Sequence, residues 1–127
     1  HHTAPVSMVT ALLEALRVVE EEGMEARERR HREAQAALIA QLGELGFEPL
    51  VEEAWRLPPL TTLRLPEPLI ARGEATIRKA LLERHGIEVG GGLGKLAGRV
   101  WRIGLMGENA RVANVERLVA ALRVELA

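Results

Sequence analysis

Ile87-Glu88-Val89-Gly90-Gly91-Gly92-Leu93-Gly94-Lys95-Leu96-Ala97-Gly98-Arg99-Val100-Trp101-Arg102-Ile103-Gly104-Leu105-Met106-Gly107 is the run on which the fold turns. Two apolar stretches, 87–89 and 99–105, flank a glycine-dense loop, and this layout predicts two strands paired antiparallel across it. Glycine at this density is costly to order, so the backbone here must bend sharply or lie close to a ligand. Alternation along the second stretch puts Arg99, Trp101, Ile103 and Leu105 on one face and Val100, Arg102, Gly104 and Met106 on the other. Trp101, Ile103 and Leu105 form the natural core face. Arg102 then projects from the opposite face, where Gly104 leaves room for an approaching group. A guanidinium among apolar residues calls for an anionic partner, and its two parallel N–H donors match a carboxylate. That carboxylate is either a ligand's or an Asp or Glu of the fold.

Working outward, residues 5–22 read as a helix with Val6, Val9, Leu13 and Leu16 on one face and Gly23 at its end. Residues 25–45 read as a second helix, striped by Ala34, Leu38, Leu42 and Leu45, with Gly46 beyond its C-terminus. The charged run 27–33 and His31 within it read as a solvated helix surface, as does His85. A short edge strand is expected at 47–51, where Pro49 limits pairing. A better strand is expected at 60–65, stopped by Pro66 and Pro68. A helix follows at 74–85, with Ile77, Leu81 and Leu82 inward. The last helix is expected to be capped by Asn109 and to bury Val112, Val115, Leu118, Val119 and Leu122. The fold class is therefore α+β: a small, mostly antiparallel sheet with helices on one face, preceded by two helices.

Composition narrows the function classes. The 127 residues carry a formal net charge of −1, which gives no global attraction to nucleic acid or anionic membrane. There is no cysteine, which removes disulfides and thiol nucleophiles from this stretch and suits a cytoplasmic protein. No apolar run approaches the roughly 20 residues that span a bilayer. Lys95 does not complete a phosphate-binding P-loop, since Val89 and Leu96 stand where glycine and Ser or Thr are required; it reads as a solvated loop lysine. His1-His2, native or the end of a tag, make a weak metal site without further ligands. Thr3, just before the first helix, is a reasonable phosphate donor. The opening reads as the middle of a protein, which predicts the C-terminal part of a longer chain.

His1-His2-Thr3-Ala4-Pro5-Val6, the helix pair with Gly23-Met24-Glu25-Ala26-Arg27 and His31-Arg32, and the 87–107 run together resemble the C-terminal region of alanine–glyoxylate (serine–pyruvate) aminotransferases. These are pyridoxal-phosphate enzymes of class V, fold type I. The resemblance implies that residues 1–127 form one C-terminal small domain. It implies that Arg102 binds the substrate α-carboxylate, and that Gly91 and Gly92 lie in a 90–94 loop lining the substrate side of the site. Thr3 would touch the phosphate of pyridoxal 5'-phosphate in the neighbouring subunit of a homodimer. The substrates implied are a small amino acid, alanine or serine, and a keto acid, glyoxylate or pyruvate. No catalytic residue is expected here, because neither Lys79 nor Lys95 matches the family's Schiff-base lysine. Cysteine desulfurases of the same fold type use a cysteine in this half of the chain, and this sequence has none. The alternatives are a stand-alone, non-catalytic α+β module binding a carboxylate ligand or partner, and a dimerisation domain in which Arg102 is paired internally.

Overall fold

The computed structural model describes residues 4–127. His1, His2 and Thr3 lie outside the described residues, and so does the role expected of Thr3. Helix α1 (Val6–Glu22) is followed directly by α2 (Met24–Gly43), the two divided by Gly23 at φ 78°. Strand β1 (Glu48–Pro49) and strand β2 (Leu60–Arg64) come next. Two helices, α3 (Glu67–Arg72) and α4 (Glu74–His85), lead to β3 (Gly90–Gly91) and β4 (Val100–Gly104). Helix α5 (Val112–Leu126) closes the order. The sheet runs β1-β2-β4-β3, antiparallel throughout. This is the α+β arrangement expected, with the expected edge strand at Pro49.

Several local expectations are corrected. Pro66 and Pro68 do not merely stop a strand: Pro66 precedes α3 and Pro68 sits in its first turn, where a missing N–H costs nothing. The strand expected at 87–89 lies one step later, at Gly90–Gly91. Gly86 closes α4 in a left-handed conformation, and the Ile87 N–H bonds back to the Leu81 carbonyl, so the start of that run belongs to the helix cap. Asn109 is not the cap of α5. It ends a single 3-10 turn (Gly107–Asn109), and Arg111 occupies the cap position without a side-chain bond.

The core forms where α2, α4 and α5 cover the inner sheet face. Trp101, Ile103 and Leu105 are buried there with Leu38, Leu42, Leu63, Leu81, Val115, Leu118 and Leu122. Phe47 packs on Trp101 with ring centroids 5.6 Å apart. Leu82 and Val112 are exposed, contrary to expectation, because each sits at the rim of its helix stripe. Val100 is buried although it points outward: the loop after β3 folds over it, so that a Cβ on Gly92 would approach Val100 Cγ2 to 2.9 Å. Helix α1 forms over the expected span, and its apolar face is left uncovered by the described residues. Val6, Val9, Leu13 and Leu16 stay between 57% and 66% exposed, and no residue of α1 is buried. No helix among the described residues is long and apolar enough to cross a membrane.

Candidate substrate-carboxylate site

The register of β4 builds the site. Arg102 is opposite Thr62 on β2 and Gly90 on β3, so its side chain leaves the sheet between a short hydroxyl residue and a residue with no side chain. Arg102 Nε donates to the Gly91 carbonyl at 2.8 Å. None of the ion pairs among the described residues includes Arg102. Of the two partners left open above, an Asp or Glu of this stretch is therefore excluded among the described residues. The single internal bond fixes the guanidinium through Nε and leaves its terminal nitrogens for an external anion.

Each glycine of the loop has its own steric reason. A Cβ on Gly90 would come within 3.2 Å of the Arg102 carbonyl and 3.6 Å of its Nη2. One on Gly92 would meet the Leu96 carbonyl oxygen at 2.0 Å, which no side chain tolerates. Gly92 thus permits the tight return of the loop, while Gly91 supplies the acceptor for Arg102. The structure brings Gly91 and Arg102 into contact, and Gly92 lies next to that contact.

Beneath the same strand lies a network that sequence reasoning missed. Trp101 Nε1 donates to Glu74 Oε2 at 2.8 Å, and Arg78 Nε donates to the same oxygen at 2.7 Å. The Arg78 guanidinium, with help from Trp101 and against some burial, holds the Glu74 carboxyl below its ordinary range. Glu74 and Arg78 stand four apart on α4, a spacing that signals an ion pair. Nothing local announces the Trp101 bond.

His31 is not a surface residue; it is 8% exposed. The Gly107 N–H donates to its Nε2 at 3.2 Å, which makes Nδ1 the protonated nitrogen, and Nδ1 donates to the Arg27 carbonyl at 2.7 Å. Beside it, Arg30 grips both Glu22 oxygens, at 2.5 and 2.9 Å, and donates to the carbonyls of Gly107 and Ala110. Arg30, then Arg27, lower the Glu22 carboxyl to about 2. These bonds lock the end of α1, the start of α2 and the turn after β4 together. His85 also has a partner, with Nε2 2.8 Å from Glu125 Oε1.

The two lysines face solvent. Lys79 is held 3.7 Å from Glu83 on α4, and Lys95 is exposed in the turn after β3. No group of three metal-ligating side chains occurs among the described residues.

No protein-family model matches the chain. The chain is 45% identical over 127 residues to the alanine–glyoxylate aminotransferase of Callithrix jacchus, covering 99% of this chain and 30% of that protein. It is 39% identical over 126 residues to the (S)-ureidoglycine–glyoxylate transaminase of Bacillus subtilis, again covering 99% and 30%. The crystal structure of an alanine–glyoxylate aminotransferase from Nostoc sp. superposes with a TM-score of 0.91 at 43% identity, over 100% of this chain and 33% of that one. The chain spans about 30% of the length of the curated relatives it matches. With sequence and shape agreeing from end to end, the chain belongs to the class V aminotransferases and corresponds to their C-terminal part.

Proposed function

We propose that this chain supplies the substrate-carboxylate clamp of an aminotransferase that moves an amino group from a small amino acid, alanine or serine, to a keto acid, glyoxylate or pyruvate. The observation that carries the reading is Arg102: half-buried, tethered through Nε to Gly91, and without an internal carboxylate among the described residues. A tethered fork meets both oxygens of an α-carboxylate at once, which removes rotation about the long axis of the substrate. Fixing the substrate in this way is worth several kcal/mol in a reaction whose outcome depends on which Cα bond is aligned for cleavage. Val100, two residues before Arg102 on the same strand face, is buried beneath the folded loop, and burial of this kind beside a charged group strengthens an ion pair made there.

The relatives are aminotransferases, and pyridoxal 5'-phosphate is the cofactor that we assign to the reaction. It would supply the electron sink for loss of the substrate α-proton. The described residues do not fit it as a cradle, since Lys79 and Lys95 are solvated and neither faces Arg102's strand from a pocket. This chain's part is substrate positioning, and the segment by itself is expected to be inactive. Thr3 is kept as a phosphate contact made across a homodimer, and a cytoplasmic location goes with the reading. Apolar α1 suits burial against the rest of the protein, in a subunit of which these residues form the small C-terminal domain.

The test is made on the full-length protein. An absorption band of a bound aldehyde cofactor that bleaches on adding alanine or serine supports the reading, and a native subunit without such a band overturns it. Thr3→Ala is expected to speed cofactor loss; an unchanged off-rate removes Thr3 from the site.

A further inference from the structure

We propose that Arg78, carried by Glu74, is a positioning residue that holds the Gly90–Gly91 strand in place and, through the Gly91 carbonyl, aims the Arg102 guanidinium at the substrate carboxylate. The inference rests on Arg102 being the carboxylate clamp.

The geometry is a brace through the sheet. Gly91 pairs with Trp101, the residue next to Arg102, so β3 is touched from both faces at the same place. On the outer face its carbonyl accepts Arg102 Nε at 2.8 Å. On the inner face the Arg78 guanidinium fills the space of the missing side chain: a Cβ on Gly91 would stand 3.0 Å from Nη2, 3.1 Å from Cζ and 3.4 Å from Nε of Arg78. Gly91 has no positive φ, so this close approach, not backbone conformation, is why it is glycine.

Arg78 does not lie there by chance. Its Nε and Nη2 reach the two oxygens of Glu74 at 2.7 and 3.3 Å. Glu74 is in turn fixed by the indole N–H of Trp101, which is fully buried. Strand β3 has only two residues, both glycine, at the edge of the sheet, and so has no side chain with which to anchor itself. Without a support beneath it, the acceptor for Arg102 is free to drift. A displacement of about 1 Å at a positioning contact is enough to cost up to 10²-fold in rate.

The experiment measures competition by propionate, a carboxylate without an amino group, in the full-length protein, with cofactor content and Tm recorded for each variant. Arg78→Met and Glu74→Gln are expected to raise the propionate Ki roughly tenfold, with cofactor content unchanged. Gly91→Ala is expected to raise it too, because the methyl displaces a pinned guanidinium. In an Arg78→Ala background the same substitution should have no further effect, since the space is already vacant. A purely structural role predicts a lower Tm with an unchanged Ki, and that result overturns the proposal. Equal effects of Gly91→Ala in both backgrounds overturn it as well. Arg102→Ala is the reference. If it abolishes propionate competition while Arg78→Met does not alter it, the positioning role fails and the clamp stands. If Arg102→Ala itself has no effect, the clamp fails and the positioning role with it.

Discussion

Two arginines, one on β4 and one against the turn that follows it, are used in opposite ways. Arg30, on α2, packs against the turn that follows the strand. It is saturated by both oxygens of Glu22 and by the carbonyls of Gly107 and Ala110. Arg102, on the strand itself, has one internal bond and no carboxylate among the described residues. Both are half-buried, and both desolvate a charge. In Arg30 that cost is offset within the fold, so its role is to fasten elements together. In Arg102 the compensation is left for another molecule, which is the arrangement expected of a binding group.

The contrast breaks if the wrong arginine carries activity. Arg102→Ala should lower kcat/KM by about 10²-fold or more in the full-length protein, with KM raised for both substrates and Tm little changed. Near wild-type kinetics would remove the site. Arg102→Lys should recover little, since a point charge cannot replace the fork. Gly92→Ala comes next: with the Leu96 carbonyl 2.0 Å from the new methyl, the loop must open, and both Tm and substrate affinity should fall. Arg30→Met should lower Tm by a few degrees and leave substrate KM within about twofold. Calorimetry beside steady-state kinetics separates these outcomes.

A subtler difference is in pH. Glu22 is depressed from 4.5 to about 2, so its contribution to stability is fully present above pH 4.5 and is lost as pH falls toward 2. Glu22→Gln should flatten that acid limb of the unfolding curve, and a limb of unchanged shape would show that the Arg30 cluster is not what couples stability to acid.

The two regions also differ in how plainly they could be read from sequence. Alternation along 99–105 announced the inner face of Trp101, Ile103 and Leu105 and the outward Arg102, and both hold. The His31 and Arg30 region gave no such notice. A histidine in the charged run 27–33 looks solvated until a turn some 76 residues later closes on it. Strand β3 slipped from its apolar run onto two glycines because the cap of α4 claimed Ile87 first. The apolar face of α1 is legible as a face, and the described residues leave it uncovered.

Local chemistry, then, determines what depends on neighbours in the chain: the periodicity of helices and strands, the punctuation by glycine and proline, and the face from which a side chain leaves its strand. The remaining features needed residues far apart to meet. Glu74 found Trp101 across 27 residues, and Arg78 came to lie under Gly91. Arg102 found no acid within reach among the described residues. Pairing between distant charges depends on which elements pack together, and packing is set by burial summed over the whole core rather than by any one segment.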